Sequence, residues 1–306
     1  MKGKLLAFLI FVLPVTGFTQ HKTILPTSDF TANFCKFPFA WSAVQNISRD
    51  LNSSVTLIAE DKLKIESVVR EIKFYTNGAD VNVITLNQFF EVTQSNGNDI
   101  FVLAEEIKES DYDRFLRTVK SYSNISVIIS AYYGAMNPER DYSNWRSFVK
   151  KASDAGCVIT GSHGDMYQLG DISFWESVPV DIYAVLGRKI DGFQPMMPDY
   201  KIKASIEGSA FTVAAAVSLI KLSNPKLNNF ELKRFLKEKG KQVYWSTIHV
   251  PEGKDGIRLL IPHFEKNYLG KYEDERIKVI KREQFSAPTI DMASFFDIPD
   301  NGYASW

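Results

Sequence analysis

The chain is poor in the residues that staple or switch a fold. It has two cysteines, Cys35 and Cys157, and four histidines in 306 residues. Two cysteines exclude a disulfide scaffold and a four-cysteine zinc site. No histidine occurs between His21 and His163, and the remaining two are His249 and His263. None of them has metal-ligand spacing. Net charge is also missing. The 36 basic and 36 acidic residues cancel, so bulk charge points to no nucleic-acid or membrane partner. There are no internal repeats, and after the first twenty residues no apolar run is long enough to span a bilayer.

The first twenty residues stand apart. Lys2 and Lys4 precede the apolar run Leu5–Val15, and small and polar residues follow at Thr16, Gly17, Thr19 and Gln20. This is the layout of a secretory signal peptide, with cleavage expected between Gly17 and Gln20. The run is short for a transmembrane helix, and no cysteine follows it to carry a lipid anchor. The expected localisation is therefore secreted, periplasmic or extracellular. Export permits a Cys35–Cys157 disulfide. Cys157 opens the apolar run Cys157–Thr160, so a buried thiol is the alternative. Asn46, Asn52 and Asn124 head sequons that matter only in a glycosylating host.

About 285 residues remain, enough for one large α/β domain. Residues 21–54 read as an irregular lead-in carrying Phe30, Phe34, Phe37, Phe39 and Trp41. From residue 55 strand and helix signals alternate. Strands are expected at Val55–Ala59, Val81–Leu86, Asp99–Ala104, Ile125–Ser130, Cys157–Thr160 and Asp181–Leu186. Helices fall between them, one with Val68, Val69 and Ile72 on its face, one capped by Ser110, and one over Ser143–Ala155. This alternation implies a three-layer α/β fold with a mostly parallel sheet and helices on both faces. An apolar, alanine-rich helix follows over Ser209–Leu222, then Pro225, then a second helix over Asn229–Lys239. Residues 265–306 read as a C-terminal extension with apolar hooks. Within it, the mixed charges of Lys271–Arg282 suit a solvated helix face.

Four stretches, in order, carry a family likeness. Val213-Ala-Ala-Ala-Val-Ser-Leu-Ile-Lys-Leu-Ser-Asn-Pro225 is similar to the helix and turn after the nucleophile of subtilisin-like serine proteases. Ala155-Gly-Cys-Val-Ile-Thr-Gly-Ser-His-Gly-Asp165 resembles their A-G-V-x-V-V-A-A-A-G-N strand. Val180-Asp-Ile-Tyr-Ala-Val-Leu-Gly187 resembles the strand that follows it. Ile128-Ile-Ser-Ala-Tyr-Tyr-Gly134 sits where the family carries V-I-N-M-S-L-G. The likeness spans Val55 to Leu236 and implies a subtilase-like domain over residues 55–264.

The resemblance also implies where catalysis should sit, and those positions are degenerate. The Asp at the end of the first strand falls on Ala59. The family's nucleophile falls on Glu207 in the ungapped register, or on Ala210 if three residues are deleted. The oxyanion-stabilising Asn falls on Asp165, a carboxylate that would repel the developing oxyanion. The His motif has no counterpart. Tyr132, Tyr133 and Gly134 would line the substrate groove. The first expectation is an exported pseudopeptidase that binds a peptide or protein and needs no cofactor. The second is a serine hydrolase with a rearranged Ser209–His163–Asp165 triad. The third is an unrelated exported α/β ligand-binding domain. A carboxylate pair of Asp165 and Glu207 would suit a cation, but without further ligands no metal is assigned.

Overall fold

A computed structural model describes Ala32 and residues 35–45, 53–61, 65–92, 99–122, 125–131, 143–162, 179–184, 208–250, 257–263 and 283–298. The strands are β1 (Ser54–Ile58), β2 (Asp80–Ile84), β3 (Ile100–Leu103), β4 (Ser126–Ser130), β5 (Val158–Ser162), β6 (Ile182–Ala184), β7 (Lys241–Val250), β8 (Ile257–His263) and β9 (Glu283–Thr289). The helices are α1 (Phe37–Val44), α2 (Glu66–Tyr75), α3 (Leu86–Phe90), α4 (Tyr112–Ser121), α5 (Ser143–Asp154), α6 (Gly208–Ser223), α7 (Asn229–Lys239) and α8 (Met292–Phe295). All strands join one sheet in the order β2-β1-β3-β4-β5-β6-β9-β7-β8. From β2 to β9 the neighbours are parallel, and β7 pairs antiparallel with both β9 and β8.

The three layers follow from side-chain alternation along buried strands. Val55, Leu57, Ile100, Val102, Ile128, Val158 and Ile182 face one core, shared with α1, α2, α6, α7 and α8. Ile58, Phe101, Leu103, Val127, Ile129, Ile159 and Tyr183 face the other, shared with α3, α4 and α5. Both faces are covered, so β3 and β4 are buried at every position. The expected three-layer α/β fold is therefore present, and the six expected strands are β1 to β6, each within about two residues of its reading. The helix expected after Ser110 starts at Tyr112 and buries Phe115, Leu116 and Val119. α5 buries Trp145, Phe148 and Val149.

Besides the unexpected strands β7 and β8, three segments differ from the sequence reading. The lead-in contains a helix, α1, whose Phe37, Phe39 and Ala40 are buried. Pro at its first turn suits a helix start. A short helix, α3, is closed by a capping box between Thr85 and Gln88. The segment after residue 264 is, over Glu283–Phe295, part of the domain. β9 lies inside the sheet, joined to β6 through the register pair Tyr183–Thr289 and a 3.0 Å bond from the Ile290 N–H to the Tyr183 carbonyl. Cys35 and Cys157 are both buried thiols and are not bridged to each other. No helix among the described residues is long and apolar enough to cross a membrane.

Close approach of β5 to β6 depends on one glycine. A Cβ on Gly161 would stand 2.6 Å from the Tyr183 ring, which is itself buried. Gly161→Ala is expected to destabilise the protein by about 2 kcal/mol through overpacking, read as a lower urea midpoint. Trimming the ring in Gly161→Ala/Tyr183→Leu should recover part of that loss.

Candidate functional site

In parallel α/β sheets ligands sit outside the carboxyl ends of the strands. The carboxyl ends of β1 to β6 lie among the described residues. β1 runs out at Ala59, which is 2% exposed and whose N–H donates to the Ile84 carbonyl at 2.9 Å. Ala59 therefore places a methyl group, not a carboxylate, at the end of the first strand. The next acidic side chains are committed to the backbone. Glu105 Oε1 accepts from the Glu60 N–H at 2.6 Å, and Glu60 Oε1 accepts from the Leu86 N–H at 3.3 Å. These carboxylates tie the loops after β1, β2 and β3 to one another.

β4 ends at Ser130, followed by Ala131, whose carbonyl accepts from Trp145 Nε1 at 2.7 Å. β5 carries Thr160, and α6 begins beside it. Thr160 Oγ1 and Ser209 Oγ are 3.1 Å apart, and both residues are fully buried. Thr160 Oγ1 also lies 3.4 Å from the Ile129 carbonyl. The hydroxyl nearest to a nucleophile position is thus sealed beneath the strand ends, against a threonine.

The reason Ser209 is buried is the helix it belongs to. Every residue from Ser209 to Lys221 is buried, so α6 is enclosed on all sides, between the sheet and the helices α1 and α2. It packs against β1, β3, β4, β5 and β6 on one side and against α1 and α2 on another. The small residues Ala214, Ala215 and Ala216 permit that close packing. Ala210, the other nucleophile register, is likewise fully buried. His163, Asp165, Glu207, Tyr132, Tyr133 and Gly134 lie outside the described residues. Of the Ser209–His163–Asp165 constellation only Ser209 is among the described residues, and neither member of the Asp165–Glu207 pair is. Among the described residues no group of three or more His, Cys, Asp or Glu side chains is placed to hold a metal ion.

Two buried charged groups were not singled out in the sequence. Asp181, fully buried at the head of β6, accepts from the Ile159 N–H at 2.9 Å. It also pairs with Lys233 at 3.3 Å and Lys237 at 2.8 Å, both on α7. Lys221 is 1% exposed in the last turn of α6. Burial lowers its pKa from 10.5, and the nearby Asp99 carboxylate acts in the opposite direction. Ser54 Oγ donates to Asp99 at 2.8 Å. A lysine inside an apolar helix and an aspartate at the head of an apolar strand were legible signals of buried pairing. Cys157 lies near Lys233 and Asp181, and burial pushes its thiol from 9.0 up to about 12.

No family model matches the chain, and no curated protein matches it. Among solved structures, one described as "Crystal structure of an hypothetical protein" is 14% identical. It covers 64% of this chain and 82% of that chain with a TM-score of 0.21, and at that score it carries no argument about this one.

Proposed function

We propose that the chain is an exported, subtilase-like pseudopeptidase: a peptide- or protein-binding module without hydrolytic chemistry. The observation that carries this reading is the burial of Ser209 Oγ against Thr160 at the start of the central helix. A nucleophile must reach solvent, and this hydroxyl is fully buried, 3.1 Å from Thr160 Oγ1. Ala59 at the end of β1 supports the same reading, since an alanine there cannot orient a base. The amino-terminal Lys2/Lys4 and Leu5–Val15 pattern supports export.

The test is labelling with a fluorophosphonate, which modifies activated serines. The expected result is no labelling of the wild type above that of Ser209→Ala. Labelling of the wild type that disappears in Ser209→Ala would instead establish the rearranged hydrolase. Binding is tested separately, by fluorescence polarisation against an extended-peptide library. Saturable binding unchanged by Ser209→Ala is expected.

A second reading has one specific observation behind it. The sheet order β2-β1-β3 reverses direction between β1 and β3, and such a switch point opens a crevice where small ligands bind in doubly wound sheets. An α/β ligand-binding domain would raise its melting temperature with a small molecule and ignore peptides.

A further inference from the structure

We infer that α1 and α8 form a single clasp over the central helix, locked by the Lys36–Asp291 ion pair, and that the two open and close as one unit. The inference stands apart from the proposed function, because it concerns how the two chain ends are joined. α6 is mostly apolar, so the side turned away from the sheet needs its own cover. Phe37 and Ala40 of α1, together with Met292 and Phe295 of α8, belong to the same core as Val213, Val217 and Ile220 of α6.

Neither element holds that position by itself. α1 has 8 residues and α8 has 4, both far below the length at which a helix persists without tertiary support. They are joined to each other at their starts, while Trp41 Nε1 of α1 also donates to the Tyr75 carbonyl of α2 at 2.7 Å and Phe295 of α8 lies against Phe235 of α7. Lys36 Nζ meets Asp291 Oδ2 at 3.0 Å across 255 residues of sequence, with side chains 7% and 4% exposed. The Met292 N–H donates to the Cys35 carbonyl at 2.9 Å. Asp291 also caps α8, its Oδ1 accepting from the Ser294 N–H at 3.2 Å. One carboxylate therefore both starts α8 and neutralises the ammonium at the start of α1. Lys36 holds a left-handed backbone with φ 59°, from which its carbonyl accepts the Phe39 N–H at 3.0 Å.

Removing either partner breaks a buried ion pair, which weakens both attachments together. Opening would uncover the part of α6 that α1 covers and leave α2 in place.

The experiment is hydrogen–deuterium exchange on the full chain, comparing wild type, Asp291→Asn, Lys36→Met and Lys36→Met/Asp291→Asn, in which the asparagine carbonyl can still cap α8. In each single variant the amides of 37–44 and 292–296 are expected to exchange together, each about 100-fold faster. Those of β3 and β4 should keep wild-type rates. In the double variant, where no charge is stranded, protection of both segments should return together. Faster exchange in only one segment overturns the clasp, and so does equal acceleration throughout the core. If a single variant does not fold, the double variant decides alone, and protection regained by one segment without the other sinks the idea.

Discussion

Asp181→Ala is expected to lower the unfolding free energy by about 3 kcal/mol, a large fraction of a typical domain's stability. The carboxylate is fully buried and has three partners: the Ile159 N–H, Lys233 and Lys237. Its removal strands the Ile159 donor between β5 and β6 and leaves the Lys233 ammonium, 12% exposed, without its counter-ion. Lys233 keeps two contacts to Ser153, each at 2.8 Å, which holds the loss at the lower end of the range for a broken buried pair. Lys237 is half exposed and turns to solvent, so Lys237→Ala should cost less than about 1 kcal/mol. Guanidinium denaturation of Asp181→Ala, Lys233→Met and the double variant measures the coupling. A double-variant loss equal to the sum of the two singles would show that the pair does not act as a pair.

The second large effect appears at alkaline pH. Cys157 holds its proton to about 12 in the folded state against 9.0 for an ordinary thiol, because burial disfavours the thiolate. Its folded pKa is raised, so its contribution is complete below pH 9 and is lost as pH climbs toward 12. The gap amounts to about 4 kcal/mol at the alkaline limit. Lys221 has the opposite sign. Its folded pKa is lowered, so between that value and 10.5 the unfolded chain binds the extra proton and stability rises with pH. Denaturation midpoints taken from pH 8 to 11 should therefore fall less steeply for Cys157→Ala than for the wild type. Lys221→Met should fall more steeply. Parallel curves for wild type and Cys157→Ala would show that the thiol does not carry this loss. The same burial predicts that native Cys157 resists alkylation until the protein unfolds.

The parallel half of the fold was legible because its strands are short, apolar and separated by helical periods. Val127, Ile128 and Ile129 are buried in sequence on alternating faces, and a run of that kind needs no tertiary context to read as a central strand. The helix register of Phe115, Leu116 and Val119 was equally direct. Thr85 and Gln88 at capping-box spacing were a readable signal for α3 that periodicity overlooked. The antiparallel strands β7, β8 and β9 were not read. Gln284–Thr289 is polar and proline-containing, and its place between β6 and β7 comes from pairing partners distant in the chain. The candidate site was legible mostly in the negative. The absence of histidine between His21 and His163 and the alanine at position 59 are facts of the sequence. The burial of Ser209 is not, because a serine at a helix start looks the same whether it faces solvent or a core.

What the sequence determined by itself is local: which segments are strands or helices, that α6 is mostly apolar, and that the first strand ends in alanine. Those follow from side-chain size, branching and spacing along one stretch of chain. Tertiary structure alone decided what lies against what. It set Thr160 beside Ser209, Asp181 between two lysines of α7, and Lys36 against Asp291 from the far end of the chain. Each pairing is between residues far apart in sequence, and the dehydration of a polar group is set by all the elements packed around it.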